Sequence, residues 1–400
     1  MKWLKRGIYT ILGLAVLGLI GFWTFVPGIV GKQSNAVAEH APYPVSDAAQ
    51  ELHSRLVVGD LHADPLLWKR DLTKRGTWGQ VDVPRLIEGG VALQVFTAVT
   101  KSPAGQNYEE NSSDAFDNIT LLAFGQLWPV RTWGSIYERA IYQAEKLHGF
   151  EARSEGRLKV VRTRADLDAV LAARAGGTEV VGGILGVEGL HPLEGDISNL
   201  KGLFDAGHRV FGLQHFFDNA LGGSLHGQGD HGLTDFGKEV VAELAKMPVV
   251  VDVAHSSAQS ARDALAIVDG PILVSHSGIH SYCEVKRNFP DDLMREIAAK
   301  GGIIGMGYWA DVTCGDITPD GIADMIVAGI KAVGEDHISL GSDFDGSVAT
   351  AFDTSELPAL TDALLRKGLS ETQIAKVMGG NMLRWMDIAC AICAGKHCAK

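Results

Sequence analysis

Residues 249–278, VVVDVAHSSAQSARDALAIVDGPILVSHSG, decide how the rest of the chain is read. A Val-rich run, Val249–Val253, ends in Asp252-Val253-Ala254-His255 and reads as a short strand. A helix-like segment, Ala258–Ile267, follows it, and a second apolar run, Ile272–Val274, ends in Ser275-His276-Ser277. Strand, helix and strand in this order make a parallel βαβ unit, and each strand delivers a histidine where it ends.

The same alternation extends in both directions from residue 55 onward. The expected strands are Leu56–Val58, Val91–Ala98, Val180–Val187, Val210–Leu213, Val249–Val253, Ile272–Val274, Ile303–Met306 and Ile338–Leu340. Between them lie expected helices at Val83–Ile87, Asp114–Leu147, Ala165–Ala173, Asn199–Asp205, Phe236–Lys246 (capped by Thr234 or Asp235), Ala258–Ile267, Asp291–Ala299 and Gly321–Val333. Eight strands with helical crossovers predict a closed (β/α)8 TIM-type barrel, because doubly wound open sheets more often have five or six. Residues 359–389 read as one or two further helices on the outside. Lys101–Gly176 reads as an elaborated second connection, with Trp128 and Trp133 in no derivable role.

Composition agrees with one large folded body. The chain has 400 residues, 46% hydrophobic and 21% charged, which excludes wholesale disorder. A net charge of −12 with no basic stripe excludes general nucleic-acid binding.

The N-terminus is a different material. Gly7 to Gly31 carries no charge, and Ile8–Val26 is apolar enough and long enough to cross a hydrocarbon layer of ~30 Å as a helix. Lys2, Lys5 and Arg6 precede it, so the positive-inside rule keeps the N-terminus cytoplasmic and exports the body. A cleaved signal peptide is the competing reading. Ala36-Val37-Ala38 fits a cleavage pattern but lies well beyond Val26, so an uncleaved anchor is favoured. The expected organisation is an anchor or signal segment over 1–31, a linker over 32–50, a barrel domain over 51–390 and a tail over 391–400. An acidic body behind such an anchor suits the periplasmic face of a bacterial inner membrane. Five cysteines come late, at 283, 314, 390, 393 and 398, and their odd number leaves at least one sulfur free or intermolecular. Cys390, Cys393 and Cys398 lack a second pair at zinc-finger spacing and read as a frayed tail with an optional disulfide.

In a barrel enzyme the chemistry sits at the C-terminal ends of the strands. Six of the eight expected ends carry a histidine or carboxylate: Asp60, His62 and Asp64; Glu188; His215; Asp252 and His255; His276; Asp343 and Asp345. A lone His255 would more often be an ordinary hydrogen-bonded histidine, whereas the set points to metal. Imidazole and carboxylate without thiolate suit borderline divalent ions such as zinc, and more than four such ligands suit two ions. Glu188 could bridge two metals, with His62 and Asp64 on one side and His255 and His276 on the other. Such a pair lowers the pKa of a shared water toward neutrality and presents hydroxide to a carbonyl.

These residues lie in text that resembles the membrane (renal-type) dipeptidases, peptidase family M19 of the amidohydrolase-like metal-dependent hydrolases. The resemblance rests on GDLHAD at 59–64, GVEG at 186–189, QHFFDNALGG at 214–223, GLTDFGKEVVAELAKM at 232–247, VVDVAHSS at 250–257, VSHSGIHSYCEVKRNFPDDL at 274–293 and GSDFDG at 341–346. It implies His62, Asp64 and a bridging Glu188 on one zinc, and Glu188, His255 and His276 on a second. It further implies that His215 stabilises the oxyanion, that Arg287 grips the substrate's terminal carboxylate, and that Asp343 shuttles the proton from water to the leaving amine. His208, His226 and His231 compete for the role of His215, and Asp345 competes with Asp343 but reads as structural. Cys283 and Cys314 sit where the family commonly pairs two cysteines. Phe216 and Phe217 stand where the animal enzymes often carry a cysteine, so a disulfide-linked dimer is not implied, though a homodimer stays open. The implied activity is hydrolysis of dipeptides, D-residues at the C-terminal position included. The alternatives are another small amide, an acyl-amino acid, a lactone or a β-lactam. A non-enzymatic binding protein would show a lost metal ligand, and all five ligand positions are filled.

Overall fold

Strand pairing in this computed structural model, which describes residues 2–394, is parallel throughout. The strands are β1 (Val58–Ala63), β2 (Val91–Val99), β3 (Leu158–Val160), β4 (Val181–Glu188), β5 (His208–Gly212), β6 (Val250–Asp252), β7 (Leu273–Ser277), β8 (Ile303–Met306) and β9 (Ile338–Leu340). Eight of them close the expected barrel in the order β1-β2-β4-β5-β6-β7-β8-β9, with Asp60 opposite Leu340 sealing the ring. The additional strand, β3, pairs with the first residues of β4 (Leu158 opposite Val181), while β5 takes over further along (Leu185 opposite His208).

The helices in chain order are α1 (Lys2–Ser34), α2 (Asp47–Arg55), α3 (Val83–Glu88), α4 (Asn118–Gly125), α5 (Arg131–Gly134), α6 (Ile136–Arg153), α7 (Arg164–Ala175) and α8 (Asn199–Ala206). Then come α9 (Asp235–Leu244), α10 (Ala258–Ile267), α11 (Asp291–Ala299), α12 (Ala310–Thr313), α13 (Pro319–Val333), α14 (Leu357–Arg366), α15 (Glu371–Ala375) and α16 (Asn381–Ala394). Side-chain caps set several starts. Thr234 accepts from the Gly237 amide at 3.0 Å and so caps α9, and Ser257 accepts from Ser260 at 3.0 Å to start α10.

Three expectations need correction. The first strand starts at Val58, not Leu56, because Leu56 closes α2; it then runs on through Gly59-Asp60-Leu61-His62-Ala63, so His62 lies in the strand itself. The single helix expected over Asp114–Leu147 is three helices. Asp117 accepts from Ile119 to open α4, Pro129 interrupts before α5, and Ser135 accepts from Glu138 to open α6. The run 359–389 falls within three helices rather than one or two, with a π-helical turn at Lys376–Gly380. Met382 and Trp385 of α16 pack with Leu61, Leu93, Leu273 and Ile303. Cys390 and Cys393 fall on α16, and Cys398 lies outside the described residues.

Helix α1 is long and apolar enough to cross a membrane by length and composition, and most of it is exposed. Its C-terminal third meets the body. Trp23 is edge-on to Phe124 of α4 (centroids 5.8 Å apart), and Gly31 passes Trp78 so closely that a Cβ would collide with the indole. Beyond it, Asn35 accepts from the Ser347 amide at 2.9 Å, and residues 36–38 exchange backbone hydrogen bonds with Thr350 at 3.0 and 2.8 Å.

Candidate metal centre

The strand ends bring seven of the expected residues to one buried point. His62 is the last but one residue of β1 with Asp64 just after the strand, Glu188 ends β4, and His215 follows β5. His255 follows β6, His276 lies in β7, and Asp343 follows β9; all seven are buried. Glu188 is at the centre. Its Oε1 lies 3.4 Å from His62 Nε2, 3.1 Å from His255 Nε2 and 3.5 Å from His276 Nε2, and its Oε2 lies 3.3 Å from His215 Nε2. Asp64 and Asp343 approach His62 Nε2 at 3.6 and 4.0 Å, and the Nε2 atoms of His255 and His276 face each other at 2.9 Å. Metal-ligand groupings of His62, Asp64 and Glu188, of Glu188, His215 and His255, and of His62, His276 and Asp343 all have ligand atoms within 4.8 Å of one another.

The protein groups by themselves carry too much buried negative charge. Burial, with Asp64 beside it, pushes the Glu188 carboxyl well above the usual carboxylate range, and burial pushes Asp343 up to about 8. Burial opposes a charge on His62, yet Asp64 and Glu188 raise its pKa to about 10. Protons thus gather where divalent cations would reverse every one of these shifts. Two cations beside Asp343 would lower its pKa and leave it ionised, able to accept a proton. Burial holds His255 and His276 well below the ordinary imidazole value, which leaves them neutral and ready to ligate. Imidazole and carboxylate donors around a two-oxygen bridge fit a pair of borderline divalent ions.

A second layer, of which only Asp60 and Asp252 were named from the sequence, fixes the ring orientations. Ser275 Oγ lies 3.1 Å from His62 Nδ1 and 2.9 Å from His276 Nδ1, linking the two histidines through one hydroxyl. Thr97 on β2 donates to Asp64 and lies 3.3 Å from His62 Nε2. Asp252 accepts from the Ser275 and Ala254 amides at 3.0 Å each, and Asp60 accepts from Ser342 N at 2.9 Å and Ser342 Oγ at 2.5 Å. A Cβ on Gly305 or Gly341 would collide with the Ser275 carbonyl, so β7, β8 and β9 approach around Ser275 as only glycine allows. Asp60 and Ser275 stood inside the quoted motifs, and Asp60 shares the strand face of His62 two residues on; that parity was the available signal.

Arg287 is buried at the cavity floor. Its Nη1 donates to Ala254 O at 3.0 Å and its Nη2 to His276 O at 2.7 Å, with Trp309 beneath the guanidinium at 5.4 Å. The neighbouring Asn288 accepts from Gly278 N at 2.8 Å and donates to Cys283 O at 2.9 Å and Val312 O at 3.1 Å. A Cys283–Cys314 disulfide closes the same loop. Asp343 takes a left-handed backbone (φ 61°) and donates its amide to His62 O at 3.1 Å, which turns its carboxylate toward the site. Asp345 is structural: its carboxylate pairs with Arg70 and accepts from Gln80 N at 2.9 Å and Val81 N at 3.2 Å.

Among the competitors of His215, His208 is tied below the site to Gly186 O at 3.0 Å, and His231 is exposed. His226 bonds Tyr108 O at 2.7 Å and stands behind His255, with ring centroids 5.8 Å apart. His215 itself has Nδ1 3.2 Å from Lys101 O, at the start of the second connection, and burial lowers its pKa to about 4.

A family model described as membrane dipeptidase (peptidase family M19) matches residues 46–397. Among curated proteins, the chain is 32% identical to Dipeptidase verJ of Clonostachys rogersoniana over 251 residues, 61% of this chain and 63% of that protein. It is 28% identical to Dipeptidase aclJ of Aspergillus oryzae over 364 residues, 84% of this chain and 78% of that protein. The first of these matches thus spans less than two thirds of the relative's length. In fold, the chain resembles a metallo peptidase from Rhodobacter sphaeroides solved with a phosphinate mimic of the dipeptide L-Ala-D-Ala. The TM-score is 0.67 at 23% identity, over 84% of this chain and 99% of that one.

Proposed function

The chain belongs to the membrane dipeptidase family, peptidase family M19, and from that premise we propose that it is a zinc-dependent hydrolase of dipeptides, with D-residues accepted at the C-terminal position. The observation that carries this reading is the Glu188 carboxylate, approached on both oxygens by four buried imidazoles with Asp64 and Asp343 alongside. His62, Asp64 and Glu188 would hold one zinc, and Glu188, His255 and His276 the other. Bound there, the metal pair supplies Lewis-acid polarisation of the scissile carbonyl and activation of water.

The remaining steps belong to the protein. Asp343 takes the proton of the attacking water and returns it to the departing amine, from a position 4.0 Å from His62. Arg287 donates one N–H from each Nη to a backbone carbonyl and retains one further N–H on each for the substrate's free carboxylate. His215 donates Nδ1–H to Lys101 O, so its Nε2 carries a lone pair in the neutral ring. It therefore stabilises an oxyanion only when doubly protonated, as the charge developing on the carbonyl oxygen would favour.

The same reading makes α1 an uncleaved anchor with the barrel on the exported side. Asn35 and residues 36–38 are hydrogen-bonded to the body, which supports retention of the segment, and the Cys283–Cys314 bridge suits an oxidising compartment. The test is hydrolysis of L-alanyl-L-alanine, L-alanyl-D-alanine and their C-terminal amides by the full-length protein, before and after chelation and zinc restoration. Cleavage of the free dipeptides that chelation abolishes and zinc restores is expected. Metal-replete protein that leaves both dipeptides intact but opens an acyl-amino acid, lactone or β-lactam would move the assignment to that chemistry.

A further inference from the structure

The cavity that contains Glu188, His255 and Arg287 does not end at the barrel. It continues outward between α1 and α4, where Phe22, Val26 and Val30 form one wall and Ile119, Leu121 and Leu122 the other. Its volume of about 730 Å³ lies in the upper part of the ~300–1,000 Å³ range of small-molecule sites, and its outer walls are apolar. Residues 118–130, NITLLAFGQLWPV, carry no charge at all. Leu127 and Val130 of the same segment are 51 and 73% exposed, Leu121 at the mouth of the cavity is 60% exposed, and Phe116 just before the segment is 57% exposed, beside the helix long and apolar enough to cross a membrane. Several large apolar side chains exposed beside an apolar helix suit a contact rather than ordinary solvent exposure, and with α1 embedded their neighbour is the bilayer surface.

We propose that α1 and the 118–130 segment form an apolar vestibule, open at the membrane surface, that binds a hydrocarbon group of the substrate. This rests on the amide-hydrolase reading above and names its substrate class: amides with a free carboxylate at the Arg287 end and a long apolar side chain or acyl chain on the carbonyl side. Hydrolysis adds water across the C–N bond and releases the apolar acid and the free amino acid. One cavity joins the metal ligands to the apolar walls, and that continuity brings a chain attached at the scissile carbonyl into the vestibule. The anchor helix is then a wall of the binding site as well as a tether.

The test compares L-2-aminodecanoyl-L-alanine with L-alanyl-L-alanine on the full-length protein in phosphatidylcholine nanodiscs. The long-chain substrate is expected to have a kcat/KM at least about tenfold higher, because each buried methylene adds to binding. Val26→Asn and Leu122→Asn, made separately, should each cut that ratio by about threefold or more while L-alanyl-L-alanine is still turned over. Equal kcat/KM for the two substrates, as when a lipid chain fills the vestibule, overturns the inference, as does a ratio unchanged in both variants. Calorimetric binding of L-2-aminodecanoyl-L-alanine to chelated protein separates the two readings. Affinity that falls in the variants, with no hydrolysis by the zinc-loaded protein, keeps the vestibule and removes the dipeptidase assignment; affinity indifferent to the variants removes the vestibule.

Discussion

The floor of the cavity and its outer wall are built on opposite principles. On the floor most functional groups have a polar partner that fixes them: Ser275 for His62 and His276, Thr97 for Asp64, Lys101 O for His215, and two backbone carbonyls for Arg287, whereas His255 Nδ1 has none. The facing sides of α1 and α4 meet through apolar contacts such as Trp23 on Phe124, and the polar groups that place these helices, Asp117, Asn118 and Asn35, sit at their ends. Chemistry that needs ligand atoms placed to within a fraction of an ångström is carried by rigid strand ends. Accommodation of an apolar group needs only area and shape, which two helices provide.

The contrast predicts a graded set of losses. Glu188→Gln removes the bridging charge and should abolish dipeptide hydrolysis, with a loss well beyond the ~10–100-fold typical of outer-layer changes. Retained activity in that variant would break the distinction between floor and wall. Ser275→Ala leaves every ligand in place but frees two rings, and should weaken zinc affinity by about 10–100-fold in a chelator competition assay. Arg287→Ala should raise KM for free dipeptides more than it lowers kcat, with little effect on C-terminal amides. It should also lower stability by about 1–3 kcal/mol, because Ala254 O and His276 O lose their donor. Equal losses on free and amidated substrates would remove the carboxylate role.

A pH effect sits beneath the floor. His208, on β5 under Gly186, is fully buried, and burial lowers its pKa from 6.5 to about 4. The unfolded chain therefore takes up a proton near pH 6.5 that the folded state refuses until about 4. The contribution is present above pH 6.5 and is lost as pH falls through that window, by about 2 kcal/mol at pH 5. Denaturant unfolding of the wild type and of His208→Phe at pH 7 and 5 checks it: the variant should lose less on acidification. The smallest effect belongs to the outside of the wall, where Val130→Ser should change stability by no more than about 0.5 kcal/mol.

How much was legible in the sequence follows the same division. His62, Glu188, His255 and His276 stood out because reactive residue types at the ends of Val- and Ile-rich runs are chemically conspicuous, and the barrel followed from counting those runs. Ser275 and Thr97 did not stand out, since a serine or threonine in a strand has many ordinary explanations. Strand β3 (Leu158-Lys159-Val160) is too short to show a period, and the 114–147 stretch hid its breaks because Asp117 and Ser135 act as caps only in context. The packing of α1 on α4 joins segments about a hundred residues apart through apolar contacts that leave no pattern in either.

The most direct test of the central claim is elemental analysis of the full-length protein beside its Glu188→Gln variant. About two zinc ions per chain are expected in the wild type and fewer than one in the variant, because one carboxylate serves both ions. Two ions retained without Glu188, or no bound metal in the wild type after growth with zinc, would contradict that claim.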